Sequence, residues 1–320
     1  MRSRIPGLLF GLLLAISLAL PVASAQADCP RGELDIRYCD RDNDMLADVP
    51  TDQEQWLNPR TLIFTYAPTE DPAVYQDAFS DFLDYLSEKT GRNVSYFPVR
   101  SYAAQIEAMR AGRLHVAGFS AGATQEGVNT AGFNPVAIMA ADDRSYGYTM
   151  QVITQADSDI DSLEDLRGRN VAFVSPTSNS GFKAPSALLY AELNMRADED
   201  YDTSFSGGHD NSILGVVNND YEAAAIASTV LMRMVNRDVL SMDDLKIVYE
   251  SQNFPSTAYG HIYNLHPDLA AQVREAFLTF DWEGTKLGAE FTDVSQFIEI
   301  DYQRDWKVLR DIAAASAALE

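Results

Sequence analysis

Residues 175–185, "SPTSNSGFKAP", follow a short apolar run and lead into a helical pattern. Ser178, Asn179 and Ser180 supply hydroxyls and an amide, and Gly181 lets backbone N–H groups come close to a ligand. Pro185 suits a first helical turn, whose N–H groups have no intrahelical acceptor. Free N–H groups and the helix dipole together favour a small oxyanion without any lysine. An ordinary helix cap would use the same residue types, so the loop by itself leaves both readings open.

A second cluster is "GGHDNS", residues 207–212, which sets His209 beside Asp210 in a Gly-rich turn. His209 can donate to an anion, more strongly once protonated. Asp210 either caps the following helix or accepts a proton from a protonated oxyanion. His115, His261 and His266 have no partner pattern around them.

Two stretches imitate catalytic motifs. "GFSAG", residues 118–122, has the G-x-S-x-G spacing of a nucleophile elbow, in which Ser120 would attack a carbonyl. The "ATQEGVNT" that follows is poorly helical, which argues against the elbow and leaves Ser120 as a cleft hydroxyl able to touch a ligand. "SGFK", residues 180–183, matches S-x-x-K, but its "KTG" counterpart at 89–91 lies upstream, in the wrong order. No zinc-type spacing and no phosphate-cradling Gly-Lys loop occurs.

Near the N-terminus, "CDRDNDMLAD" places Asp40, Asp42, Asp44 and Asp48 at loop positions 1, 3, 5 and 9, resembling calcium loops of the thrombospondin type 3 and EF-hand-like kind. Met45 stands where those loops carry glycine, and Thr51 where they carry an acidic residue. The stretch reads either as a solvated acidic turn in a non-globular leader or as a structural calcium site; no other cofactor is expected. Cys29 and Cys39, the two cysteines of the chain, are expected to form a disulfide in an exported protein.

Export itself is read from residues 1–25. Arg2 and Arg4 precede the apolar "GLLFGLLLAISLALPV", and "ASA" before Gln26 resembles a signal-peptidase site. The formal charge of −23 over 320 residues disfavours nucleic acid and anionic membranes, which need a basic face.

The elements that must position these residues alternate between strand and helix from Thr61 onward. "TLIFTYAP" reads as a strand, followed by one helix over "PAVYQDAFSDFLDYLSEKTG" with Val74, Ala78, Phe82 and Leu86 on a common face. "NVSYFPV", "LHVAGFS", "YTMQVITQ", "NVAFVS" and "YEAAAIAS" read as further strands, with helices between them and a single final helix over "YQRDWKVLRDIAAASAAL". Tyr102 opens one helix facing the presumed cleft and is a candidate wall residue. The pattern predicts an α/β protein of two lobes with mixed, mostly parallel sheets. Residues 26–60 form the acidic leader, 61–148 with 255–320 the first lobe and 149–254 the second, with a ligand cleft between the lobes.

Three blocks in order, "YAAQIEAMRAGRLHVAGF", "EDLRGRNVAFVSPTSNSG" and "GGHDNSILGVVNNDYEAAAIAS", resemble the periplasmic phosphate, phosphite and phosphonate-binding proteins of ABC importers. The resemblance covers roughly residues 61–280 and implies the two-lobed, type II solute-binding fold. It implies capture of a small phosphorus oxyanion in the periplasm, hinge closure and delivery to a membrane permease, by a monomer that is not an enzyme. In such proteins the serine-rich helix start grips the phosphorus oxygens, here Ser178, Asn179 and Ser180. A histidine corresponding to His209 and an aromatic residue after the opening strand, matched by Tyr66, also reach the ligand. Members that take aminoalkylphosphonates hold the amine with acidic residues, whose places fall near Thr229 and Thr257, and Phe119 stands where a tyrosine is expected. These departures predict a ligand without an amine: phosphate, phosphite or a simple phosphonate. Two other readings remain open, a ligand-presenting periplasmic sensor of the same fold and a secreted serine esterase using Ser120.

Overall fold

The computed structural model describes residues 29–319, so the apolar segment read as a signal peptide lies outside the described residues. Eleven strands form two sheets: β1 (Thr61–Tyr66), β2 (Asn93–Tyr96), β3 (Val116–Phe119), β4 (Phe133–Ala140), β5 (Tyr148–Gln155), β6 (Asn170–Phe173), β7 (Asp202–Phe205), β8 (Ala223–Ala227), β9 (Leu245–Phe254), β10 (Ala258–Ile262) and β11 (Gln296–Glu299). The first sheet has the order β11-β4-β10-β3-β1-β2 and the second β7-β6-β8-β5-β9. The chain therefore passes from the first sheet to the second between β4 and β5, and back between β9 and β10.

The helices are α1 (Pro72–Ala78), α2 (Ser80–Thr90), α3 (Tyr102–Arg110), α4 (Ala121–Ala131), α5 (Ala184–Leu193), α6 (His209–Val217), α7 (Ser228–Asn236), α8 (Pro267–Thr279), α9 (Lys286–Glu290), α10 (Tyr302–Asp305) and α11 (Lys307–Ala317). The single helix expected after β1 is two, because the N–H of Phe79 turns back to Tyr75 and Asp77 and the chain restarts at Ser80. The final helix is likewise divided at Trp306, whose fully buried ring donates its indole N–H to the carbonyl of Ala121.

Both sheets are mixed, as the alternation implied, but antiparallel pairs slightly outnumber parallel ones. The cause is the double crossing. β5 and β10, the strands that enter each sheet from the other lobe, run against their neighbours. In the second sheet β8 reads Ala-Ala-Ala-Ile-Ala and is buried throughout, because small side chains let helices pack close on both faces.

The two crossing segments lie side by side. Tyr148 pairs with Phe254 and Thr149 with Asn253, and the Asn253 amide donates to the Tyr146 carbonyl at 2.8 Å. Gly147 has φ +117°, and a Cβ there would stand 2.3 Å from the Asn253 amide nitrogen and 2.4 Å from the Phe254 carbonyl oxygen. Only glycine serves at so close a crossing.

Residues 29–60 are not a non-globular leader. Leu34, Tyr38 and Ala47 are buried in the main core, the Tyr38 ring packs edge-on to Tyr263, and Leu57 bridges to Leu265. Cys29 and Cys39 are joined by a disulfide. Asp40, Asp42 and Asp44 bring carboxylate oxygens within 4.8 Å of one another. Asp40 spends both its oxygens on the backbone N–H groups of Asp44 and Met45, and Met45 takes the left-handed φ (+70°) that a glycine would normally supply. Asp48 stands apart from that group and pairs with Arg41 at 2.8 Å.

Candidate functional site

β1 and β3 are parallel, so Tyr66 and Ser120 emerge at one edge of the first sheet. β6 and β8 are parallel in the second, so the 175–180 loop and the start of α7 emerge together there. The two edges face each other across a small cavity of about 70 Å³. Tyr66, Tyr102, Ser120, Ser178, Asn179, Ser180 and His209 all line it.

The wall from the second lobe begins with a wide turn. Lys183 N–H reaches the Ser178 carbonyl, and Ala184 N–H the Asn179 carbonyl, a five-residue spacing that widens the first turn before α5 takes over. Ser178 Oγ accepts from Gly181 N–H at 3.1 Å, which fixes the turn and leaves the Ser178 hydroxyl hydrogen to donate elsewhere. The N–H of Asn179 takes no protein acceptor among the described residues. Its side-chain amide donates to the Tyr148 hydroxyl at 3.1 Å, and that hydroxyl, shifted above its ordinary pKa by burial, also sits beside Ser180.

The wall from the first lobe is the start of α4. Ser120 occupies the N-cap position without capping, and its buried Oγ has no hydrogen-bond partner among the described residues. The Tyr102 hydroxyl, whose pKa is raised by burial, lies beside Ser120 and likewise has no well-formed hydrogen bond among the described residues. Two buried hydroxyls with no other partner than each other are costly unless something in the cavity receives them. The expected absence of helix after Ser120 is overturned, since residues 121–131 form α4. Low-propensity Gly122 and Gly127 are tolerated there because the helix is packed between strands and the opposite lobe. A Cβ on Gly122 would lie 2.3 Å from the Thr177 carbonyl oxygen and 2.5 Å from Asn179 N, so the two helix starts meet almost backbone to backbone. Lys183 Nζ donates to the Gly122 carbonyl at 3.3 Å across the same junction.

His209 is fully enclosed, and its Nδ1 accepts the Ala227 N–H at 3.1 Å. That bond requires an unprotonated Nδ1, so the ring is the Nε2–H tautomer. Burial pushes its pKa down to about 3. The expectation that acid would strengthen its donation is therefore corrected, because the ring donates as a neutral imidazole. Asp210 is also corrected. Its carboxylate does not line the cavity but accepts the N–H of Asp71 at 3.1 Å, joining the lobes, and burial pushes its pKa up. Consecutive residues on a helix point in different directions, so sequence adjacency to His209 does not put Asp210 on the ligand.

Tyr66 ends β1, almost completely buried, near the hydroxyl of Thr257 at 3.5 Å. Thr257 and Thr229 both line the cavity, whereas Phe119 packs on Phe133 in the core and does not. Sequence reasoning missed Arg233, a cation in the cavity wall that is paired with Glu70 of the first lobe at 2.9 Å. The available signal was an arginine on the apolar face of "STVLMRMV", beside Val230 and Met234. The lining is thus rich in donors, and its one carboxylate, Asp293, is exposed. Such a set suits a small tetrahedral oxyanion, held by oriented dipoles whose effect grows in a cavity that excludes water.

Comparison with known proteins gives a consistent picture. The family described as "ABC transporter, phosphonate, periplasmic substrate-binding protein" matches residues 64–306. The "Phosphate-import protein PhnD" of Mycolicibacterium smegmatis is 29% identical over 229 residues, 68% of this chain and 71% of that protein. The "Phosphonates-binding periplasmic protein" of Escherichia coli is 26% identical over 233 residues, 72% of this chain and 67% of that protein. Among solved structures, a binding-protein component of an ABC phosphonate transporter from Pseudomonas aeruginosa superposes with a TM-score of 0.73 at 22% identity, covering 81% of this chain and 87% of that one. PhnD1 from Prochlorococcus marinus in complex with methylphosphonate gives a TM-score of 0.71 at 18% identity, covering 80% of this chain and 98% of that one.

Proposed function

The chain belongs to the family of periplasmic substrate-binding proteins of ABC phosphonate transporters, and from that premise we propose that it captures a small phosphorus oxyanion outside the cytoplasmic membrane and hands it to an ABC permease. The ligand class is phosphate, phosphite or a simple phosphonate. The observation that carries this reading is the convergence of two helix starts, with the buried hydroxyls of Tyr102 and Ser120, on one small cavity between the lobes. Free N–H groups at those starts, the neutral Nε2–H of His209 and the serine hydroxyls supply donors from both sides. A ligand seated among them bonds to both lobes at once, so binding favours closure and closure completes the seat. The closed form is the one a permease would recognise.

The negative net charge of the chain is no obstacle, since surface carboxylates are screened by salt while the enclosed dipoles are not. A hydrolase reading is less well supported. Ser120 does stand at a strand-to-helix turn, but no histidine among the described residues hydrogen-bonds its Oγ, and His209 gives its Nδ1 to the backbone. A fluorophosphonate probe is expected to leave Ser120 unlabelled.

Calorimetric titration of the protein, stripped of ligand by unfolding and refolding, with phosphate, phosphite, methylphosphonate and sulfate tests the assignment. Saturable heat with at least one phosphorus oxyanion is the expected result. No heat with any of the three would overturn it.

A further inference from the structure

The carriers of phosphorus ligands must distinguish a fourth oxygen from a methyl, a hydrogen or an aminoalkyl group, and here the residue placed to do so is charged. We propose that Arg233 is a specificity-determining contact that selects a ligand presenting an oxygen acceptor to the α7 side of the cavity, inorganic phosphate above all. The inference rests on the phosphorus-oxyanion reading and names the member of that class the site prefers.

Arg233 lies four residues after Thr229 on α7, so the two share a helix face, and both line the cavity. It is the one Lys or Arg side chain among the lining residues. Its Nε and Nη2 donate to Glu70 Oε1 at 3.0 and 2.9 Å, and Nη2 also to the Tyr75 hydroxyl at 3.2 Å. The guanidinium lies over the Phe291 ring at 5.2 Å from its centre. These contacts fix the plane of the fork. Nη1 makes no hydrogen bond among the described residues, and the side chain keeps 9% of its surface open.

Arg233 lines the cavity and its partner Glu70 does not. Glu70 is also shared, its Oε2 being taken by Arg237, which in turn lies 3.6 Å from Glu290. A ligand therefore meets a cation with a donor to spare. An oxygen facing Nη1 gains a charge-assisted bond. A methyl or a phosphorus-bound hydrogen in that place leaves the donor buried and unpaired. An ammonium group meets like charge, with only the uncharged Thr229 and Thr257 to receive it and Asp293 exposed to solvent.

Titration with inorganic phosphate, methylphosphonate and 2-aminoethylphosphonate separates the outcomes. In the wild type, phosphate is expected to bind at least about tenfold more tightly than methylphosphonate, and 2-aminoethylphosphonate more weakly than either. Glu70→Gln with Arg233→Met removes both charges of the pair, and the ratio should fall to within about threefold. Arg233→Lys, which keeps the charge and the Glu70 pair but lacks the second amine, should narrow the ratio while thermal unfolding shows the fold intact. Equal binding of phosphate and methylphosphonate by the wild type overturns the inference, as does an unchanged ratio in Arg233→Lys. Wild-type protein that binds none of the three overturns the phosphorus-oxyanion reading as well, which distinguishes the two failures.

Discussion

The backbone N–H of His209 donates to the carbonyl of Thr69 at 2.9 Å, tying the start of α6 in one lobe to the segment after β1 in the other. The tie is reinforced on both sides. Asp71 N–H bonds to the Asp210 carboxylate, and Glu70 is buried against Arg233 and Arg237. Three consecutive residues, Thr69, Glu70 and Asp71, thus act as a strap across the cleft, and His209 in the cavity wall is held by the same strap.

Glu70→Gln should weaken the closed form far more than the fold of either lobe. Burial by itself would raise the Glu70 pKa, but Arg233, Tyr75 and Arg237 outweigh it and hold the carboxylate below its usual range. Removing the carboxylate leaves Arg233 buried without its partner, a penalty of about 3–5 kcal/mol. Phosphate affinity should therefore fall by about two orders of magnitude or more. X-ray scattering at a fixed phosphate concentration should show the larger radius of an open molecule, and an unchanged radius with unchanged affinity would contradict the strap.

Gly122→Ala tests the meeting of the two helix starts. The added Cβ would meet Thr177 O and Asn179 N at 2.3 and 2.5 Å, and both are backbone atoms that cannot rotate away. Alanine suits the first turn of α4 at least as well as glycine. The thermal midpoint of unliganded protein should stay or rise while ligand affinity drops by at least about tenfold. A variant that binds as the wild type does would show that closure tolerates several tenths of an ångström of separation.

The pH response of His209 has a defined sign. Its pKa in the folded protein lies near 3, lowered by burial, below the ordinary histidine value of 6.5. The unfolded chain binds the proton first, so stability from this group is present above pH 6.5 and is lost as pH falls from there toward 3. The slope from this residue is at most about 1.4 kcal/mol per pH unit. Chemical denaturation of wild type and His209→Gln across pH 4 to 7 should show the steeper dependence in the wild type. Ligand affinity should gain nothing from acid through His209, because the ring stays neutral.

Much of the site was legible because its residues are adjacent in sequence and polar where an apolar run ends. The "TSNSG" loop after β6 announces itself in this way, whereas Tyr66 at the end of β1 comes only from the family resemblance. What stayed hidden depends on tertiary contact. Arg233 reads as one more residue of an amphipathic helix until Glu70, more than 150 positions away, arrives to bury it. Helix α4 is hidden by its glycines, whose propensity is overridden by packing. Asp210 misleads because adjacency in sequence is not adjacency on a helix face. The 29–60 segment reads as non-globular since its few apolar residues, Leu34, Tyr38 and Ala47, find their partners only in the body of the protein.

The central claim is that the wide turn at residues 178–180 is the seat of the anion, and calorimetry of Ser178→Ala with Ser180→Ala against phosphate and methylphosphonate tests it most directly. Both side chains are small and buried, and thermal unfolding should show that the double variant keeps its fold. The account predicts loss of the binding heat for both ligands. Heat of wild-type size from a folded double variant would contradict it.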